Sequence, residues 1–163
     1  MSTTTTRPAQ TFTRLKTGPA QGAATVVGIL MVVFGILGFI PGVTQHLGEI
    51  HFIGPSSTSF IFNIFQNSIF SNIVWIVFGL IGLGAARAPF SLAATGYLLG
   101  FGMVFLVIWL YGLAFMDWGG NFFPFNLADQ SLNVGLGFAL LLTGAATSQL
   151  AMKGSRYDEG LWR

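Results

Sequence analysis

Two imidazoles and a carboxylate lie within six residues at His46, Glu49 and His51, the composition of a metal site. Their spacing works against one. On a helix an i,i+5 pair diverges by roughly 140°, unlike the i,i+4 pair of helical zinc sites, so only an irregular loop would bring the imidazoles together. Exposed loop histidines are the expectation. Asp117 and Asp129 are the acids of the next polar segment, and these five residues are all that an enzyme would have there for acid–base chemistry. A haem would need His or Met ligands deep in the apolar stretches, where only Met31 and Met103 stand. The chain has no cysteine, which removes thiolate metal sites, iron–sulfur clusters and dithiol chemistry. The expectation is a protein that is no enzyme and holds no cofactor or metal.

The elements that would position these groups are apolar. Of 163 residues 53% are hydrophobic and 7% charged, against roughly 25% charged in soluble domains. A mean hydropathy of +0.72 agrees with a bilayer as solvent. A hydrocarbon core of about 30 Å needs about 20 apolar residues in a helix. Four windows without an ionisable interior satisfy this, at about 23–43, 69–88, 92–115 and 132–152. The fold class expected is therefore all-α, an integral membrane bundle of four transmembrane helices. The first window ends at Pro41-Gly42; it is too long for a cleaved signal and lacks the small-x-small site. A polar tail, 1–22, precedes the membrane domain, 23–152, and a short tail, 153–163, follows with Trp162 as an interfacial anchor.

All seven basic residues fall on one side of this topology: Arg7, Arg14, Lys16, Arg87, Lys153, Arg156 and Arg163. Retention of positive loops then predicts both termini cytoplasmic, in a multi-pass protein of the plasma membrane. The pI near 9.4 does not imply nucleic acid, because the basic residues form no stripe with interleaved aromatics. Membrane lipids, other membrane subunits or further copies of the chain are the expected partners.

An internal repeat is expected at an offset of 63, where Phe62-Asn63-Ile64 with Ser68-Ile69 echoes Phe125-Asn126-Leu127 with Ser131-Leu132. It would make the protein two helical hairpins of one orientation. Glycines recur at helical spacing within the windows: Gly28 and Gly35, Gly79 and Gly82 with Gly84, Gly96 and Gly100, and Gly137 and Gly144. Such faces allow close helix approach, either inside the bundle or towards a partner. Asn72, Asn126, Asp129 and Asn133 stand near the external helix ends and read as capping or loop-bonding groups. The external segments are rich in aromatics, from Phe52, Phe60, Phe62, Phe65 and Phe70 to Trp118, Phe122, Phe123 and Phe125. The stretch 54–70 reads as a short amphipathic segment anchored by Phe60, Phe62, Phe65 and Ile69.

In these features the chain resembles the mainly actinobacterial four-span membrane proteins grouped as domain of unknown function 4383. The carrying residues are the first-span exit from Gly35 to Thr44, Asn72-Ile73-Val74-Trp75 with Gly79 and Gly82, the exit Ala85-Ala86-Arg87, and Asn126-Leu127-Ala128-Asp129 with Leu132, Asn133 and Gly137. The resemblance covers about residues 20–152. It implies four spans and no established activity. It also implies histidine at two positions where this chain has Trp75 and Asn133: a ligand role of those histidines would not carry over to this chain, whereas a helix-capping role can pass to Asn133.

The function expected is a non-catalytic accessory or assembly subunit of a larger membrane complex, respiratory or cell-envelope machinery being the type. The alternative is a homo-oligomeric carrier or channel for a small solute or lipid, disfavoured by the lack of intramembrane charge.

Overall fold

A proline opens the first helix. Pro19 occupies its first position, where a missing N–H costs nothing, and the helix, α1, runs Pro19–Leu37. It is followed by α2 (Ile69–Arg87), α3 (Ser91–Phe115) and α4 (Leu127–Gly160). The computed structural model describes residues 18–54, 56–115 and 121–160, of which 151–160 are described as backbone alone. The expectations placed on Arg7, Arg14, Lys16, Asp117, Trp118, Trp162 and Arg163, and on the side chains of Lys153 and Arg156, lie outside the described residues.

All four helices are long and apolar enough to cross a membrane. They pack antiparallel as two hairpins, α1 with α2 and α3 with α4, and more sparsely between the hairpins. Helix bounds differ from the windows in two places. The first helix stops at Leu37, not near residue 43, because the chain turns from Gly38 to Thr44, and the Thr44 hydroxyl takes up the Leu37 carbonyl at 2.9 Å. The fourth begins at Leu127, five residues before residue 132, and its helical backbone continues through the segment expected as a tail.

Between α1 and α2 lies a small antiparallel sheet of β1 (Thr44–Gln45), β2 (Ser59–Ile61) and β3 (Phe65–Asn67), in that order. Thr44 pairs with Ile61, and Ile61 with Phe65. The amphipathic segment expected over 54–70 is thus corrected to two strands and a turn. Alternation explains it: Ser59 and Ile61 face inward and are buried, with half-buried Phe60 between them. Phe62 and Asn63 turn with φ of 54° and 59°. Asparagine accepts that left-handed geometry readily; phenylalanine does so rarely.

The hairpins share one pattern, at offsets other than 63. Adding 74 to the buried α1 positions Ala20, Ala24, Gly28 and Met31 gives Ala94, Leu98, Gly102 and Phe105, all buried, while the fifth, Gly35, maps to half-buried Trp109. Adding 58 to Asn72, Gly79 and Gly82 gives Gln130, Gly137 and Leu140, also buried. The offsets differ because the sheet-bearing connection, 38–68, is longer than the connection 116–126, while α3 runs four residues past the position that matches the end of α1. The stretches that echo at 63 are not equivalent: Asn63 lies in the β-turn, Asn126 starts α4, and they meet, the Asn126 side chain donating to the Ile64 carbonyl at 2.6 Å.

Candidate functional site

Glycine sets how closely the helices of each hairpin approach. A methyl group on Gly28 would stand 2.8 Å from the Gly79 carbonyl oxygen, and one on Gly79 would stand 2.5 Å from that of Gly28. Gly102 and Gly137 repeat the crossing between α3 and α4, at 3.0 and 3.2 Å. Gly35 abuts the Asn72 carbonyl, Gly82 the ring of Tyr97, and Gly144 the side chain of Leu99. Backbone contact of this kind supplies dispersion that lipid cannot provide. Gly96 and Gly100 are a correction to internal packing: nothing lies within 4 Å of either added methyl, as is true of Gly84.

The same geometry makes niches for amides. Gly38 leaves the space that the Asn72 amide fills, and Gly112 leaves the equivalent space for Gln130. Asn72 is therefore no cap, contrary to expectation. Ser68 caps α2 in a reciprocal box with Ser71, accepting from the Ser71 N–H at 3.1 Å. Asn126 and Asp129 do cap α4: the Asp129 N–H donates to Asn126 Oδ1 at 2.9 Å, and the Asn126 N–H donates to Asp129 Oδ2 at 3.0 Å. The same Asp129 oxygen accepts from the Gln66 N–H at 3.2 Å, tying α4 to β3. Asn133 is not a cap either, since α4 starts earlier than its apolar run and places this amide in the interior, 6% exposed.

Where the hairpins meet beneath the sheet they enclose a chamber of about 40 Å³, room for roughly three water molecules. Asn67, Asn72, Asp129 and Asn133 contribute polar wall, and Phe34, Trp75, Phe105 and Phe125 contribute rings. Trp75 and Asn133, the two places for which the resemblance implies histidine, are related by the offset of 58 and both border it. Asn67 donates to the Gly38 carbonyl at 3.2 Å and to Asn72 Oδ1 at 3.5 Å. Asn67 Oδ1 and Asn72 Nδ2 are then left buried without a protein partner. Each such group costs about 1–3 kcal/mol, a local cost of packing the Asn72 amide into the niche that Gly38 leaves.

Two apolar grooves adjoin the chamber. One, about 210 Å³, lies between α1 and α4 along Val27, Leu30 and Leu136 and shares Phe34, Trp75 and Leu132 with the chamber wall. The other, about 300 Å³, is lined by Phe70, Val107, Tyr111 and Phe122 and shares Ile108 and Phe123. A row of ring contacts runs through the bundle from the cap: Phe65 to Phe34 at 5.5 Å, Phe34 to Trp75 at 4.9 Å, and Trp75 to Phe105 at 5.3 Å. It continues from Phe105 through Phe78 and Phe101 to Tyr97.

The other sequence candidates sit apart from this chamber. Glu49 accepts a hydrogen bond from Thr58, His46 and His51 are exposed, and among the described residues no three His, Cys, Asp or Glu side chains converge as metal ligands. Met31 accepts from the Tyr97 hydroxyl at 3.3 Å, while Met103 faces outward, so the two do not form a ligand pair. Reading the sequence window by window missed Asn67, Gln130, Gly38, Gly102 and Gly112. The signal for four of them is present in paired spacing: Gly28 and Gly38 match Gly102 and Gly112, and Asn72 before Gly79 matches Gln130 before Gly137.

A protein-family model described as Domain of unknown function (DUF4383) matches residues 21–146. The chain belongs to this family. The DUF4383 match takes in the helix crossings, the sheet and every residue of the chamber wall. No curated protein and no solved structure matches the chain. This DUF4383 member is thus a multi-pass membrane bundle in which the described buried polar groups, Thr147 apart, gather at the end closed by the sheet.

Proposed function

We propose that this DUF4383 chain is a non-catalytic accessory or assembly subunit of a larger membrane complex, of the respiratory or cell-envelope kind, in the plasma membrane with both termini cytoplasmic. The observation that carries the reading is the pair Gly96 and Gly100 on α3. Apart from Gly84, the expected glycines of the other three helices fill the crossings, whereas this pair, four residues apart on one face, is exposed with no described atom within 4 Å of an added methyl. A bare backbone ridge of that kind is complementary to another transmembrane helix.

Purification from native-level membranes in mild detergent tests it. Stoichiometric polypeptides that leave when Gly96 and Gly100 are both changed to leucine support the subunit reading. A particle built only of 17.5 kDa chains, unchanged by the substitutions, overturns it. The alternative, a homo-oligomeric carrier of a small solute or lipid, draws support from the chamber between the hairpins, which Asp129 and Asn133 border. Flux into proteoliposomes would favour it. The orientation rests on the one-sided basic residues, and the chain's lack of cysteine makes the check simple. A cysteine at Asn63 should react with impermeant maleimide from outside the cell, and one at Thr4 only after lysis.

A further inference from the structure

Asp129 and Asn133 stand four residues apart on one face of α4, and both border the chamber between the hairpins. The fold leaves part of each unused. Asp129 Oδ2 accepts from the Asn126 and Gln66 N–H groups, while Oδ1 has no donor among the described residues. The Asn133 side chain, only 6% exposed, likewise has no hydrogen-bond partner among the described residues. Neither contributes to the unpartnered polar atoms that packing seals away, such as Asn67 Oδ1 and Asn72 Nδ2. Their free atoms are therefore accessible, and the chamber is the space they share.

Capping alone does not call for an acid at Asp129, because an amide or hydroxyl oxygen would accept the same N–H groups. A carboxylate adds a second oxygen and a charge. No Lys, Arg or His borders the chamber to balance that charge, and an enclosed carboxyl without a counter-charge either keeps its proton or holds a cation. The wall indicates which cation. Phe34, Trp75, Phe78, Phe105, Phe123 and Phe125 surround the polar pair with rings; rings attract an ammonium placed over their faces, whereas a hard divalent ion asks for six or more oxygens. An ammonium group brings three N–H donors, enough for Asp129 Oδ1 and the Asn133 amide oxygen together. A volume of about 40 Å³ admits roughly three heavy atoms, which excludes a tetramethylammonium ion or a sugar. We propose that the chamber binds a small primary alkylammonium ion, its nitrogen on Asp129 Oδ1 and the Asn133 amide oxygen, its carbon atoms among the rings. The site is independent of the subunit reading, since a lone chain and a subunit can both carry it.

The test uses the full-length protein in phosphatidylcholine nanodiscs, which contain no primary amine, with ethylammonium chloride as the probe at constant ionic strength. A ligand that binds only the folded chain raises its unfolding temperature, so ethylammonium should do so saturably. Ethanol, sodium chloride and tetramethylammonium chloride at the same concentration should not. Asp129→Asn keeps the cap and removes the charge, and should raise the half-saturating concentration about tenfold, as loss of a charged hydrogen bond does. Asn133→Leu fills the chamber with an apolar group and should have at least that effect; it decides the matter if Asp129→Asn does not fold. A response that phosphatidylethanolamine nanodiscs block identifies a lipid head as the source of the ammonium, and one that they leave unchanged identifies the free ion; both sustain the site. An equal response to sodium, ethanol or tetramethylammonium would overturn the proposal. No response to ethylammonium, or one unchanged in Asn133→Leu, would overturn it as well.

Discussion

Amide and glycine act as a pair at two places, and the pairing makes single substitutions there informative. A methyl group at Gly112 would run into the Gln130 amide, whose polar atoms are buried and already lack partners. Gly112→Ala should therefore destabilise the bundle by about 1–3 kcal/mol, an overpacking cost. Thermal unfolding in detergent would register it. Adding Gln130→Ala should recover most of the loss, since the two changes share one cause and must be non-additive. Gly135→Ala makes the contrast, because nothing lies near that position. It should raise stability by roughly 0.5–1 kcal/mol through helix propensity alone. If Gly112→Ala and Gly135→Ala behave alike, the niche has been misread.

At the scale of elements, the start of α4 does more than begin a helix. Asp129 closes a reciprocal cap with Asn126 and also holds the β3 backbone at Gln66. Asp129→Ala should cost about 1–2 kcal/mol, as loss of a helix cap does. It should in addition speed amide exchange at 59–67, a sheet effect that Ser68→Ala at the α2 cap should not match. Asp129→Asn keeps an acceptor and should be milder. The sequence was least readable at these junctions. Four spans follow from apolar length alone, but length locates the core of a helix and not its ends. Asp129 could be singled out as a capping or loop-bonding group, whereas Gln130 reads as loop because it is polar, and the fold hides it against a glycine. The three strands are two or three residues each, too short for alternation to stand out beside long apolar helices. The chamber was legible only in part: Asn72 and Asn133 could be singled out as polar interruptions, but that they share a wall with Asn67 depends on the sheet.

For the whole molecule, the two hairpins behave as units that the sequence joins by only residues 88–90. Each carries its own glycine crossing and its own amide niche, and each is more closely packed within itself than against the other. Co-expressed fragments 1–88 and 89–163 should therefore assemble in the membrane and co-purify. Failure of either fragment to accumulate stably alongside the other would show that the intact connection is needed. The repeat behind this autonomy escapes a single-offset comparison, because the sheet-bearing loop shifts α1 and α2 by different amounts relative to α3 and α4.

The row of rings from Phe34 through Trp75 to Phe105 has a mechanical consequence. Inside each hairpin the helices touch backbone to backbone, where any sliding meets an immediate steric wall. Across the seam between hairpins Trp75 meets Phe105, and Phe78 meets Phe101 and Phe105, through aromatic faces and edges, side-chain contacts with no backbone wall behind them. The stiffness of the protein is thus uneven by construction. A shear of one half against the other, with helices sliding as packed bodies, is the motion that meets rings instead of backbone, held by the hydrogen bonds from Tyr97 to Phe78 and from Gln66 to Asp129. The chamber lies on that seam, so its volume is the quantity such a motion changes first.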